Sequence, residues 1–151
     1  MIEEVKYEDF SGHCALFKLY HYEADTEYFE NIFVANVISG VFLSELTKLE
    51  FSSTLWRKVR MKEISESQAE QTIAILNADL KKYHIVPIGA SILDSAVKLV
   101  AKYGKQGLRT LDSIQLATAV HLRKKAELFV TADKLLSSFF IEERLKNTNK
   151  S

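Results

Sequence analysis

The sequence predicts an α/β domain built on a mainly parallel sheet, from three observations. Short apolar runs recur between longer segments of helical spacing, at Gly40-Val-Phe-Leu-Ser44, His84-Ile-Val-Pro87 and Leu128-Phe-Val-Thr131. These runs are apolar throughout rather than alternating, as strands covered on both faces are. One proline and five glycines in 151 residues leave little room for a loop-rich all-β fold.

Each element follows from local pattern. Ala15 to Phe33 is expected to be helical, with Leu16, Leu19, Tyr20, Tyr28 and Ile32 near helical spacing. Gly40 precedes the first apolar run, which is read as a buried strand over 41–44. Ser44 is placed to cap a helix running to about Arg60, with Leu46, Leu49, Leu55, Trp56 and Val59 on its apolar side and Phe51 and Trp56 expected in the core. Ser65 caps a further helix to about Tyr83. A strand at 84–87 ends at the only proline. Ser91 to Tyr103 reads helical and stops at Gly104. Thr110 is expected to cap a helix to about Lys124, Leu128 to Thr131 to form a strand, and Lys134 to Lys146 to close the fold. Residues 1–146 are expected to form one domain, with Asn147 to Ser151 a frayed tail.

Composition removes several function classes. Apolar residues make up 47% and charged residues 26%, which are globular values. Twenty basic and twenty acidic residues balance, which argues against a uniformly basic nucleic-acid coat and leaves room for a local patch. Cys14 is the only cysteine, so neither an intramolecular disulfide nor a multi-cysteine zinc site is available. The four histidines, His13, His21, His84 and His121, show no paired-ligand spacing, and no glycine-rich phosphate loop occurs. Cys14 beside His13 is sequence adjacency rather than a dyad. The start, Met-Ile-Glu-Glu-Val-Lys, lacks an apolar core for a signal peptide, and the uncharged stretch 32–44 is too short to span a bilayer. A cytoplasmic protein without membrane association is the expectation.

The carboxylates carry the functional signal. Asp112 sits two positions after Thr110, at a helix start. That helix descends about 20 Å at ~1.5 Å per residue, and the following strand climbs back before Asp133. Both acids are therefore expected at one edge of the sheet. Glu50 lies about a turn and a half into the helix after the first strand, at the margin of its apolar face. Taken singly, each has an ordinary account: helix-dipole complement for Asp112, a cap for Asp133, a half-exposed surface acid for Glu50. Together, three acids at one edge repel unless a cation sits among them, and a hard divalent ion prefers such oxygen ligands. Glu45 is read as structural. Arg57, Lys58, Arg60 and Lys62 form a basic cluster, either a dipole complement at a helix end or a phosphate contact.

Ser44-Glu-Leu-Thr-Lys-Leu-Glu50-Phe51, Leu108-Arg-Thr-Leu-Asp112-Ser-Ile-Gln-Leu-Ala-Thr-Ala119 and Phe129-Val-Thr-Ala-Asp133-Lys-Leu-Leu136 together resemble the PIN domain, specifically the VapC-like toxin ribonucleases. The likeness runs from about Ala15 to Glu143. It implies a three-layer α/β/α fold, cleavage of RNA dependent on Mg²⁺ or Mn²⁺, and a homodimer neutralised by a cognate antitoxin. By motif position Glu50, Asp112 and Asp133 are three of the family's four acids, and Thr131 is the small polar residue beside them.

The fourth acid is where the chain departs from the pattern. Ala15-Leu-Phe-Lys-Leu-Tyr20 matches the family's first helix, and an ungapped alignment then sets Gly12-His13-Cys14 where Asp-x-Ser belongs. A second alignment, with three extra residues, lets Asp9 supply the acid as catalytic residue and metal ligand, although Lys6 and Glu8 make a poor buried strand. The ungapped alignment implies weak cleavage, or a degenerate module that dimerises or binds a partner without catalysis. An aspartyl phospho-receiver would also gather acids at a sheet edge, but the three motifs fit it less well.

Overall fold

The computed structural model describes residues 7–11, 38–131 and 133–146, with side chains from residue 40 onward. The expected helix at 15–33, Gly12, His13 and Cys14, and the expected tail at 147–151 lie outside them.

Among the described residues four strands form one parallel sheet: β1 (Tyr7–Ser11), β2 (Ile38–Ser44), β3 (His84–Val86) and β4 (Leu128–Val130), in the order β3-β2-β1-β4. β1 is interior. Asp9 pairs with Val41 on one side and Leu128 on the other, and Ser11 pairs with Val130. Glu8 is nonetheless part of β1, while Lys6 lies outside the described residues; Asp9 and Phe10 pair along both edges, which satisfies the backbone groups of an interior strand. A register shift between Tyr7 and Glu8 bulges β2 at Ser39.

Five helices follow among the described residues: α1 (Leu46–Arg60), α2 (Glu66–Asp79), α3 (Ala90–Tyr103), α4 (Thr110–His121) and α5 (Lys134–Glu142). They cover both faces of the sheet, and β2 shows how. Val41 and Leu43 point into a core with Phe51 and Leu55 of α1 and Ala69 and Leu76 of α2. Phe42, one residue out of phase, packs on the opposite core of α3, α4 and α5, which includes Leu99, Leu116, Phe129 and Phe140. The layers are α/β/α, as expected.

Several boundaries differ from expectation, each for a local reason. β2 begins at Ile38, so Gly40 lies inside the strand; a Cβ there would stand 3.1 Å from Nε2 of His84, whose ring packs on Phe42. Pro87, which has no N–H for a ladder, falls outside β3. The helix after Ser65 keeps its capping box, with Gln68 N donating to the Ser65 hydroxyl, but tightens to a 3₁₀ turn at Leu80–Lys82. α3 starts a residue early, at Ala90 behind Gly89. Thr110 is the first helical residue of α4 rather than its cap, which is Arg109. α4 ends at His121 and α5 at Glu142, short of Lys124 and Lys146. Gly107, at φ 102°, takes the left-handed conformation that turns the chain into α4. On α1, Leu49 and Trp56 are 68% and 41% exposed, not core. They sit seven residues apart on the stripe opposite Phe51 and Leu55.

Glu143 ties three elements together. Its Oε1 accepts from Lys102 Nζ at 3.0 Å and from the Tyr103 hydroxyl at 2.9 Å, and Arg123 lies 3.5 Å from Oε2. Burial pushes this carboxyl up, but its partners outweigh that and hold it below the usual range. A depressed pKa contributes stability above the unfolded-state pKa, lost as pH falls through the folded value. Glu143→Gln is therefore expected to destabilise by about 1–2 kcal/mol at pH 7. Urea titrations should show native and variant converging as the solution is made acid; an equal gap at neutral and acid pH would refute the ion-pair account.

Candidate active site

In the order β3-β2-β1-β4 the chain direction across the sheet reverses between β1 and β4. In open parallel sheets, ligands bind beyond the carboxyl ends of the strands at such a switch point. Asp133 follows β4 by three residues. Its Oδ1 accepts from Leu136 N at 2.7 Å and so caps α5, while its own N–H donates to the buried Thr131 hydroxyl at 3.2 Å. The cap and the site role are thus compatible, since one carboxylate oxygen serves the helix.

Asp112 lies in the first turn of α4 and is half buried. Burial pushes its carboxyl up, the charge of Asp133 adds to this, and Arg109 opposes it. Glu50, half buried on α1, is also pushed up, first by burial and further by Asp112. A hydrogen bond from Gln115 Nε2 to Glu50 Oε1, at 2.8 Å, works the other way. Glu50 senses Asp112 and Asp112 senses Asp133, so Asp112 is the hinge of a line of three carboxylates from separate segments.

Asp9 stands elsewhere in register. It is two residues short of the carboxyl end of β1, a backbone distance of about 6–7 Å at ~3.3 Å per residue. Gly12, outside the described residues, follows Ser11 directly. Glu45 is structural as read: its N–H donates to Val86 O at 2.9 Å and its Oε2 accepts from Ile88 N at 2.9 Å. The N-cap of α1 is Glu45 rather than Ser44, although Leu46 N donates to the Ser44 hydroxyl at 3.2 Å. Sequence reading missed Gln115; its position three residues after Asp112 was the available signal, since that spacing shares a helix face.

The donor set is all oxygen, which suits a hard divalent ion that retains waters. Among the described residues no group of three or more His, Cys, Asp or Glu side chains is placed to hold a metal ion together. An ion at this edge would therefore need waters in its shell, since the three acids are not placed to ligate it together.

The family model described as the PIN domain matches residues 14–139. The chain belongs to the PIN domain family. Two of the solved structures that share its fold illustrate the likeness. One is VapBC2 from Rickettsia felis bound to a DNA fragment from its promoter, at 16% identity and a TM-score of 0.64, covering 95% of this chain and 99% of that one. The other is VapC20 from Mycobacterium tuberculosis, a Sarcin-Ricin loop cleaving toxin, at 15% identity and a TM-score of 0.67, covering 87% and 94%. No curated protein matches the chain. The PIN match starts at Cys14, after β1, so the family model leaves the first-acid corner unassigned.

Proposed function

We propose that this PIN domain is a toxin-type endoribonuclease that cleaves RNA phosphodiesters with Mg²⁺ or Mn²⁺, weakened at its first acid. The observation carrying the reading is the line Glu50–Asp112–Asp133, two of whose members are pushed up in pKa by burial and by a neighbouring carboxylate. Asp112 and Asp133, with Glu50 directly or through water, would hold the ion, which when bound neutralises phosphate charge and polarises a water. Glu50, kept above the ordinary carboxylate range, is suited to orient an attacking water or take its proton. Thr131 fixes the turn that presents Asp133. Arg57, Arg60 and Lys62 are exposed at the far end of the helix that carries Glu50, where they suit RNA phosphates. No helix among the described residues is long and apolar enough to cross a membrane.

Incubation of the chain with structured RNA should give slow cleavage in Mg²⁺ or Mn²⁺ and none in EDTA. Cleavage unchanged by EDTA would reject the reading.

The partners follow the same reading: a cognate antitoxin, by analogy with the VapBC2 neighbour, and a second copy of the chain. Leu93, Val97 and Val100 form an exposed apolar row on α3, and Leu111 of α4 is also exposed. Such a face suits an isologous contact. Sedimentation is expected to give a dimer, and Val97→Asp a monomer; a native monomer at high micromolar concentration would count against it. The alternative function, a module that binds partners without catalysis, is favoured by one observation: Asp9 falls short of the β1 end.

A further inference from the structure

We propose that Gln115 is a positioning residue for Glu50, its buried amide holding that carboxylate at the acid edge and so setting the affinity for a divalent ion. The proposal rests on the metal-dependent reading above and adds to it a residue outside the carboxylate set. Gln115 is 3% exposed and lies one helical turn after Asp112 on α4. Its Nε2 donates to Glu50 Oε1 at 2.8 Å and joins α4 to α1.

The other end of the same amide is the telling feature. Oε1 of Gln115 is buried and has no hydrogen-bond partner among the described residues. A buried carbonyl without a partner weakens a fold, and a methionine of similar volume fills the space without that penalty. Packing alone therefore disfavours glutamine here. The amide's orientation follows from charge: turned over, it would set a carbonyl oxygen against the carboxylate. Asp112 meanwhile repels Glu50. A neutral donor fixed on the helix of Asp112 offsets that repulsion and holds Glu50 within reach of the same ion, without adding a positive charge that would compete with it.

The test compares the native chain with Gln115→Met, Glu50→Ala and the double variant, reading melting temperature and Mn²⁺ binding by calorimetry on the metal-free protein. Gln115→Met is expected to melt at or above the native temperature yet bind Mn²⁺ about 10–100-fold more weakly, the usual loss for a residue supporting a metal ligand. In the Glu50→Ala background the same change should have no further effect. A lower melting temperature with unchanged Mn²⁺ affinity would assign Gln115 to packing and overturn the proposal, as would an equal affinity loss with Glu50 already removed. A native chain that binds Mn²⁺ but cuts no RNA sinks the nuclease reading while this comparison still decides the role of Gln115. If the native chain binds no Mn²⁺, a crystal structure of Gln115→Met decides instead. Glu50 displaced from Asp112 supports the positioning role, and Glu50 unmoved overturns it.

Discussion

Asp112→Asn is expected to lower metal-dependent RNA cleavage by about 100-fold or more and to raise the melting temperature of the metal-free protein. Both effects come from the same place in the site. Asp112 feels the charge of Asp133, and its own charge is felt at Glu50, so removing that charge relieves both interactions at once. Loss of residues that merely support metal ligands costs about 10–100-fold, and a ligand should cost at least as much. In the absence of an ion the same charge is a liability. Relief on the order of 1 kcal/mol would raise the melting temperature by about 2–4 °C in a domain of this size.

The pH dependence has a definite sign. Glu50 and Asp112 are both raised above their ordinary values, so their favourable contribution is complete below the unfolded-state pKa and is lost as pH rises through the folded value. The metal-free protein should therefore lose stability from these groups on going from acid toward neutral pH. Asp112→Asn should flatten that slope, and Mg²⁺ should stabilise the native chain more at pH 7.5 than at pH 5. Urea unfolding across this range, with and without Mg²⁺, measures it. A variant that melts lower than native and still cleaves would mean that Asp112 serves the helix start alone.

Much of this architecture was legible in the residues, and the failures have physical causes. The runs at 41–44 and 128–131 are apolar throughout because both faces of the sheet are covered, and that pattern survives without knowledge of the fold. Asp112 and Asp133 were placed together because a helix followed by a strand returns the chain to one edge. α1 was harder. Leu49 and Trp56 are as apolar as Phe51 and Leu55, and only the observed rotation of the helix shows which stripe faces β2. Gln115 escaped notice because an amide inside Leu108–Ala119 looks like a tolerated polar residue; its bond crosses to α1, a partner no local window contains. β1 was obscured by Lys6 and Glu8 in the sequence, and its ladders to β2 and β4 join segments that no local window contains.

The strand β1 also supplies the second large effect. Gly12→Asp is expected to raise Mg²⁺-dependent cleavage by about 10–100-fold, while Asp9→Asn should leave it unchanged. Ser11 pairs with Val130, one residue before Thr131 and three before Asp133. Ser11, the last residue of β1, is thus beside the strand that leads to Asp133, and residue 12 follows it in the sequence, whereas Asp9 pairs with Leu128, further down the sheet. A carboxylate at residue 12 would add a fourth oxygen donor to an all-oxygen site, and the gain should match in size the loss usual on removing support from a metal site. Gly12→Asn controls for bulk and backbone: it restricts the backbone as Asp does but adds no charge, so it should give little or no gain. Mn²⁺ affinity should rise with Gly12→Asp in parallel with the cleavage rate, because the effect acts through the ion rather than through RNA binding. Robust cleavage by the native chain that disappears in Asp9→Asn would reverse the assignment and make Asp9 the fourth acid, reached from inside the strand. Unchanged Mn²⁺ affinity in Gly12→Asp would instead leave the corner beyond β1 outside the metal site, and the weakness of the native chain would then need another cause.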